Sequence, residues 1–363
     1  MENSEKKSGN KTGIEVKKGI KSFLHQKMEL FCDKLEMSIL KDNADKSGVV
    51  YGPVPSRRLG YSLGINNIKR KICTYDCIYC QAGKTTCCSE EKDCCLSPHE
   101  LYFLVKQKIQ SIKKENLHVD YISFVPNGEP TIDGNLDKEI KLLREFGYKI
   151  AVFTNSSLLW NDNVKARLIN ADYVSVKVDT LDEELWEKIN RPHCRLRFDK
   201  VIQGIREFSN SFDGTLTTET MLIKGMNDNL KEIRATGEFL NNLKHDKAYF
   251  TIPIRPPAEP YAMIPSKNTL MDLRNYINDN IRDAEMLCCP ESGDFSIFDK
   301  IENDILGILS VHPMREEALK SMLEKKDLNR SIIGLLVERG DIKLVSYEET
   351  TFYSLADIKE QEV

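Results

Sequence analysis

Between residues 49 and 290, apolar and polar positions follow two alternating patterns. Short runs such as Tyr121–Val125 are apolar at most successive positions, which is typical of strands covered on both faces. Stretches such as Pro98–Lys114 repeat apolar residues every three or four positions, which indicates amphipathic helices. The predicted strands are Tyr61–Ile65, Tyr121–Val125, Lys149–Thr154, Tyr173–Val178, Thr215–Ile223 and Lys247–Ile254. The predicted helices are Pro98–Lys114, Leu136–Phe146, Asn161–Asn170, Leu181–Asn190, Asp199–Asn210, Leu230–Leu243 and Ser266–Asn280.

The alternation of these strands with helices indicates an α/β fold with a parallel sheet. Its repetition favours a partial (βα)6 TIM-like barrel over an open doubly wound sheet, although both arrangements fit the pattern. In a parallel β/α barrel, functional side chains gather at the carboxyl ends of the strands. Polar residues that follow the predicted strands are therefore the candidates for a functional site.

The segments on either side of this region have different patterns. Residues 1–48 form a charged leader, in which the apolar spacing of Val16–Leu40 predicts one amphipathic helix. Residues 291–363 predict three short helices and a hairpin, at Ile297–Val311, Arg315–Leu323, Asn329–Arg339, Ile342–Ser346 and Thr351–Leu355. Three helices followed by a hairpin indicate a small winged-helix-like unit. We therefore expect a leader at 1–48, the barrel at 49–290 and the winged-helix-like unit at 291–363.

Composition limits the classes of partner. The 363 residues are 40% hydrophobic and 30% charged, with a net charge of −4, so no general attraction to nucleic acid or anionic membrane is expected. The polar start lacks the apolar run of a secretory signal, and no later stretch is apolar and long enough to span a bilayer. We therefore expect a cytoplasmic location and no membrane partner. Residues 298–363 carry nine Lys or Arg against fourteen Asp or Glu, which disfavours DNA binding.

Cysteine is the unusual component, with 11 residues in a chain that lacks secretory features. This favours metal or redox chemistry over disulfides. Cys73, Cys77 and Cys80 follow the first predicted strand, and three thiolates at this spacing can hold one face of an iron–sulfur cubane. A four-iron cluster normally takes four cysteines, so one iron would stay open for a ligand with an amine and a carboxylate. Zinc is the alternative, although no histidine lies near these cysteines.

The spacing Cys73-x3-Cys77-x-Tyr79-Cys80 resembles the signature of the radical S-adenosylmethionine (SAM) superfamily. The stretch Tyr51–Gly60 is similar to the opening of a subgroup related to the tRNA wyosine-base synthases. The resemblance covers about residues 51–280. It implies that the three cysteines bind a [4Fe-4S] cluster, that the open iron binds the amine and carboxylate of SAM, and that Tyr79 lies beside the adenine.

Later strand ends carry further similarities to this superfamily. Asn127-Gly128-Glu129-Pro130 is similar to its Gly-Gly-Glu-Pro motif, which implies that Gly128 and Glu129 bind the methionine amine; Asn127 departs from that motif. The resemblance also implies that residues after the next two strands contact the ribose and carboxylate of SAM, namely Asn155, Ser156, Lys177 and Asp179. A structural ion pair between Lys177 and Asp179 is the alternative for those two charges.

Four charged residues near the predicted barrel mouth are candidates for substrate contacts. Arg57 and Arg58 precede the first predicted strand and could bind an anionic group, and the proline-rich stretch after the last strand would hold Arg255 and Glu259 stiffly. Solvent exposure and a rigid connector are the simpler interpretations. A second metal site is another open question, for the paired cysteines Cys87, Cys88, Cys94, Cys95, Cys288 and Cys289.

The resemblance implies a radical SAM oxidoreductase. In this superfamily the reduced cluster cleaves SAM to methionine and a 5′-deoxyadenosyl radical, which takes hydrogen from a substrate, and the electron comes from a donor such as ferredoxin or flavodoxin. The substrate is unknown, and RNA modification is the class that the subgroup suggests. Radical modification of a protein, peptide or metallocofactor is the alternative, and a non-enzymatic iron–sulfur redox sensor is another.

Overall fold

An eight-stranded sheet forms the centre of the fold, in the order β1-β2-β5-β6-β7-β8-β9-β10. β1 is antiparallel to β2, and every later neighbouring pair in this sheet is parallel. Its strands are β1 Val50–Ser56, β2 Gly60–Ile65, β5 Tyr121–Phe124, β6 Lys149–Thr154, β7 Tyr173–Lys177, β8 Thr215–Met221, β9 Lys247–Thr251 and β10 Ala284–Leu287. Two short strands, β3 Ile72–Cys73 and β4 Cys87–Cys88, pair outside it.

This computed structural model describes residues 48–90, 96–289, 295–296 and 301–356. Contacts divide the chain into Met1–Lys46 and Ser47–Val363, and every described residue belongs to the second unit. The predicted leader helix Val16–Leu40, together with Cys94 and Cys95, lies outside the described residues. So do Pro290 and the four residues after it, where the predicted domain boundary falls.

Helices connect the parallel strands, as the apolar spacing predicts. They are α1 Pro98–Lys114, α2 Leu136–Leu143, α3 Asp162–Leu168, α4 Glu183–Asn190, α5 Phe198–Ser211, α6 Leu230–Asn241 and α7 Lys267–Asn280. The start of α1 is fixed by a capping box in which Ser97 and Glu100 satisfy each other's backbone N–H groups. No helix among the described residues is long and apolar enough to cross a membrane.

The main core lies between the sheet and these helices. Its buried side chains include Ile122 and Phe124 of β5, Val174 of β7 and Ile205 and Phe208 of α5. Side chains from both faces of the strands are buried, as the continuous apolar runs predict. The protein therefore has an α/β fold with a mostly parallel sheet. The carboxyl ends of the parallel strands lie beside the loop that carries the cysteines.

The C-terminal part contains three helices and a small antiparallel sheet. The elements are α8 Ile301–Val311, β11 Met314–Arg315, α9 Glu316–Glu324, α10 Ser331–Glu338, β12 Ile342–Tyr347 and β13 Thr350–Leu355. They share a second apolar core, which includes Ile308, Leu319 and Leu336 and extends to Tyr51 of β1. The Tyr347 hydroxyl donates a 2.9 Å hydrogen bond to the Pro253 carbonyl, so the hairpin is attached to the loop after β9.

The central sheet has two more strands than the sequence pattern predicts. β1 contains Gly52, Pro53 and Pro55, which are residues that favour turns. These residues are tolerated in a strand here because β1 lies at the edge of the sheet. β10 is only four residues long and follows the last predicted helix directly. Both lie at sheet edges, where the apolar pattern is weakest.

Candidate functional site

The loop that carries the cysteines is held by backbone hydrogen bonds. Cys73 ends β3, and the Ile78 N–H donates to the Ile189 carbonyl at 3.0 Å, which joins the loop to the last turn of α4. Within the loop, the Cys80 N–H donates to the Cys77 carbonyl at 3.0 Å. The three cysteines line one cavity of about 340 Å³, a size within the range of small-molecule sites, which is about 300–1,000 Å³.

Each cysteine sulfur has a nitrogen donor within hydrogen-bonding distance. Asn155 Nδ2 lies 3.4 Å from the sulfur of Cys73, and Asn190 Nδ2 lies 3.4 Å from that of Cys77. Lys71 Nζ lies 3.5 Å from the sulfur of Cys80. Donors of this kind stabilise negative charge on sulfur and tune the potential of an iron–sulfur cluster.

Burial governs the protonation of Cys73 and Cys77. It raises the pKa of Cys77 to about 12 and raises that of Cys73 further, so both stay protonated until a metal ion displaces the proton. Among the described residues, no three His, Cys, Asp or Glu side chains are arranged to hold a single metal ion. A four-iron cluster differs in that each thiolate binds a different iron.

Gly128 and Glu129 lie directly against the cysteine strand. A Cβ atom at Gly128 would lie 2.0 Å from the Ile72 carbonyl oxygen, so only glycine fits at this close approach. The Glu129 N–H donates to the same carbonyl at 3.2 Å. Asn127, the departure from the similar motif, is buried, and its Oδ1 accepts from the Lys71 N–H at 3.3 Å. The asparagine therefore fixes the backbone beside the cysteine loop.

The Glu129 carboxylate is buried and surrounded by donors. Thr154 Oγ1 donates to its Oε1 at 2.6 Å, as does the Thr131 N–H at 3.1 Å, and the Asn155 N–H donates to its Oε2 at 2.7 Å. Burial raises the pKa of Glu129 against the lowering effect of these donors. Glu129 and Asn155 both line the cavity.

Tyr79 lines the cavity, whereas Asp179 and Ser156 are not among its wall residues. Asp179 accepts from the Tyr79 hydroxyl, from Asn190 Nδ2 at 2.8 Å and from the Met221 N–H at 2.8 Å. Ser156 Oγ accepts from a backbone N–H of β7 at 2.7 Å. Their placement makes both residues supports for neighbouring groups, and the direct SAM contacts expected for them stay predictions.

Lys177 pairs with Glu219, not with Asp179. Lys177 Nζ lies 2.7 Å from Glu219 Oε1 and 4.8 Å from the centre of the Tyr79 ring, and Arg58 forms an ion pair with Glu219 Oε2. Burial alone would raise the pKa of Glu219, but Arg58 and Lys177 outweigh it and hold the pKa well below its usual value. The pattern gave Glu219 no role, because its two partners come from different segments of the chain.

Arg57 and Arg255 also lie on the cavity wall, but Glu259 does not. Arg57 donates from one terminal nitrogen to the Leu287 and Cys289 carbonyls, at 2.8 and 3.1 Å. Glu259 instead pairs with Arg191 at 2.8 Å and Lys84 at 3.2 Å. A substrate contact by Glu259 therefore stays a prediction, as do those of the arginines.

The structure also places His312, which follows α8, on the cavity wall, and sequence reasoning assigned this residue no role. Because His312 lies far along the chain from the cysteines, no local sequence pattern marked it as part of the site. Cys87 and Cys88 of β4 are exposed, and Cys288 and Cys289 are free thiols beyond β10. None of these four is among the wall residues of the cavity.

Comparisons with known proteins agree on the family. The sequence profile of the Radical SAM superfamily matches residues 68–240. A UPF0026 protein from Methanocaldococcus jannaschii is 41% identical over 84% of this chain and 95% of the relative. A Brachyspira hyodysenteriae protein named GTPase Obg is 30% identical over 85% of this chain, which spans 46% of that longer protein.

A solved structure shares the fold. The radical SAM methyltransferase from Sphaerobacter thermophilus matches with a TM-score of 0.51 at 17% identity, over 63% of this chain and 68% of its own. This likeness concerns the fold alone. The superfamily profile and the extensive identity to the archaeal relative show that the chain belongs to the UPF0026 family and is an enzyme of the radical SAM superfamily.

Proposed function

We propose that this protein binds a [4Fe-4S] cluster through Cys73, Cys77 and Cys80 and uses it to cleave SAM reductively. The observation that carries the proposal is the single cavity onto which the three cysteines, Glu129 and Lys177 all open. A nitrogen donor near each sulfur suits thiolates that share a cluster's negative charge. When bound, the cluster and SAM supply a 5′-deoxyadenosyl radical that takes a hydrogen atom from the substrate.

The donor set of the cavity fits this pair of cofactors. Three soft thiolates suit iron, and their number leaves one iron for an amine and a carboxylate. Among the described residues, the contacts of Glu129 Oε1 come from Thr131 and Thr154, whereas Oε2 accepts from Asn155. A carboxylate oxygen has two lone pairs, so Oε2 keeps one acceptor position for an ammonium group. In this proposal Glu129 binds the methionine amine and Tyr79 lies by the adenine.

The chain's own residues position the cofactors and limit the access of water. Lys177, held by Glu219 and lying over Tyr79, would orient a carboxylate while its partner keeps the cation in place. Asp179 accepts a hydrogen bond from the Tyr79 hydroxyl and so fixes the position of that ring. An apolar cluster that includes Ile78 and Ile189 packs against Cys77 behind the cavity wall. Such a site favours radical transfer to the substrate over side reactions.

The finer architecture is also a proposal. The parallel strands and connecting helices support a partial TIM-like barrel, and the three helices and antiparallel strands after residue 300 support a winged-helix-like unit. RNA modification is the substrate class suggested by the subgroup resemblance, and modification of a protein, peptide or metallocofactor is the alternative. A cytoplasmic location and a ferredoxin- or flavodoxin-like electron donor belong to the same proposal.

The decisive experiment is anaerobic reconstitution of the full-length chain with iron and sulfide. We expect about four irons per chain, and methionine and 5′-deoxyadenosine formed from SAM under dithionite. Cys77→Ala should lose the cluster and this cleavage. Cys88→Ala, an exposed cysteine outside the cavity wall, should keep both. A reconstituted cluster that leaves SAM intact, together with salt-dependent DNA binding, would instead support the redox sensor.

A further inference from the structure

Lys71 is a buried lysine whose side chain reaches the cysteine loop. It comes two residues before Cys73, and only 4% of its surface is exposed. Its Nζ lies 3.5 Å from the sulfur of Cys80, the last of the three cysteines. Among the described residues, that sulfur is the one acceptor within hydrogen-bonding distance of Nζ, and no carboxylate lies within 4.0 Å of it. A lysine ammonium carries a full charge and three donors, and the described part of the chain does not balance that charge.

The backbone of Lys71 has an uncommon conformation that neighbouring segments impose. Its φ is 62°, in the left-handed region that residues other than glycine rarely adopt. Its N–H donates to Asn127 Oδ1 at 3.3 Å, and its carbonyl accepts from the N–H groups of Thr86 and Cys87, at 3.1 and 3.3 Å. An unfavourable conformation persists only where the surrounding structure determines it. The fold therefore holds this lysine in place beside Cys80.

Lys71 differs from the other two donors near the cysteine sulfurs because it is charged. The donors beside Cys73 and Cys77 are the neutral side-chain amides of Asn155 and Asn190. Burying a charge without a counter-ion is costly. Cysteine thiolates that hold an iron–sulfur cluster carry negative charge, and in a buried site an ammonium 3.5 Å from such a sulfur is attracted to it far more strongly than in water. A bound cluster would therefore supply the anion that this lysine lacks.

We propose that Lys71 is the counter-charge of the cluster held by Cys73, Cys77 and Cys80, and that it favours the reduced state of that cluster. The inference rests on the proposed function, because it assigns the lysine to the same cluster. An electron that enters the cluster adds negative charge, so a fixed cation stabilises the reduced state more than the oxidised state. Lys71 acts through a cluster ligand and is therefore a positioning residue that raises the reduction potential.

The test is a potentiometric titration of the full-length, anaerobically reconstituted chain without SAM, followed by electron paramagnetic resonance. Lys71→Met removes the charge and keeps an unbranched side chain. We expect its reduced cluster to be about tenfold less favoured, which lowers the potential by about 59 mV for a one-electron couple. Lys71→Arg keeps the charge and should restore most of the potential. Lys113→Met changes an exposed lysine at the end of α1; it is the matched control and should titrate like the original chain.

Urea unfolding of the cluster-free chain is a second measurement, in which the expected effect of Lys71→Met has the opposite sign. Without a cluster the ammonium has no anion among the described residues, and a buried site of this kind often accepts an apolar side chain equally well or better. Lys71→Met should therefore have the same urea midpoint as the original chain or a higher one. A lower midpoint would mean that the lysine supports the fold itself, and it would overturn the counter-charge role.

The iron content of each reconstituted sample separates this inference from the proposed function. An original chain that takes up no iron contradicts the proposed function, and the inference fails with it. Full iron content with equal potentials in the original chain and in Lys71→Met overturns the role of Lys71 alone. If Lys71→Met takes up no iron, Lys71→Gln replaces it, because glutamine keeps an N–H donor without the charge. A lowered potential in Lys71→Gln supports the inference, and an unchanged one overturns it.

Discussion

The side-chain nitrogen of Asn190 lies 3.4 Å from the sulfur of Cys77, and this contact joins the end of α4 to the cysteine loop. The same nitrogen donates to Asp179 at 2.8 Å. One amide therefore connects a proposed cluster ligand with the residue that fixes Tyr79.

Replacing Asn190 should change the cluster's reduction potential. Hydrogen bonds to cluster sulfurs are among the factors that set this potential, and the loss of an N–H donor disfavours the more negative, reduced state. We expect Asn190→Ala to bind the cluster with a more negative potential, measured by potentiometric titration with electron paramagnetic resonance detection. Asn163→Ala, on the exposed face of α3, is the control. An unchanged potential in Asn190→Ala would rule out the contact as a tuning bond.

Removing the charge of Glu129 should weaken the binding of SAM. Glu129→Gln keeps a similar shape but loses the anion proposed to pair with the methionine amine, and a hydrogen bond to a charged group contributes about 1.5–3 kcal/mol. We expect the dissociation constant to rise about tenfold or more, measured by equilibrium dialysis with labelled SAM. Glu238→Gln, exposed on α6, should bind normally. Equal affinity in Glu129→Gln would contradict the assignment.

A side chain at Gly128 should disturb the cysteine strand. The Cβ of Gly128→Ala would lie 2.0 Å from the Ile72 carbonyl oxygen, so β3 or the Glu129 backbone must move. We expect a loss of about 1–3 kcal/mol in the free energy of unfolding and a lower iron content after reconstitution. In Gly334→Ala, where α10 leaves open space, the same change should be neutral or slightly stabilising. Full iron content in Gly128→Ala would show that the close approach is not required.

Glu219 should be a major contributor to stability. Glu219→Gln leaves Arg58 and Lys177 without their shared anion, and breaking a buried pair costs about 3–5 kcal/mol. Glu285→Gln, which removes a half-exposed partner of Lys247, should cost less than about 1 kcal/mol. Urea unfolding at neutral pH measures both losses. Similar losses in the two variants would mean that burial adds little to the Glu219 pairs.

The lowered pKa of Glu219 predicts that the stability of the fold depends on pH. The pKa of folded Glu219 is lowered from its ordinary value of 4.5, so its stabilisation is present above that value and is lost as the pH falls through the folded pKa. Stability should therefore decline below about pH 4.5 more steeply in the original chain than in Glu219→Gln. Urea unfolding from pH 7 to pH 3 tests this, and parallel curves would contradict it.

Much of the fold follows from local pattern. The bounds of α1 agree with the sequence prediction because its capping residues and apolar spacing point to the same helix. β6 agrees because its apolar run is continuous and well bounded. β1 and β10 were missed because prolines in one and the brevity of the other hide the strand pattern. Both segments form strands because each lies at an edge of the assembled sheet, and the local sequence does not show that position.

The residues of the candidate site also divide into those that the sequence predicts and those that it does not. Motif spacing pointed to Cys73, Cys77, Cys80 and Glu129 before the structure placed them on one cavity. The partners of Lys177 and Asp179 could not be predicted, since they depend on which side chains meet once strands and helices have packed together. His312 could not be predicted either, because nothing local marks it. Chemistry carried by a short motif is visible in sequence, whereas chemistry assembled from distant segments is not.

The contact between Gly128 and Ile72 has a consequence for how this enzyme can diversify. Main-chain atoms fix the spacing between the cysteine strand and Glu129, so most side-chain substitutions leave that spacing unchanged. The rest of the cavity wall, which includes Arg57 and Arg255, is built from side chains on separate segments and can vary residue by residue. New substrates could therefore be acquired by altering the wall while the reactive centre keeps its dimensions.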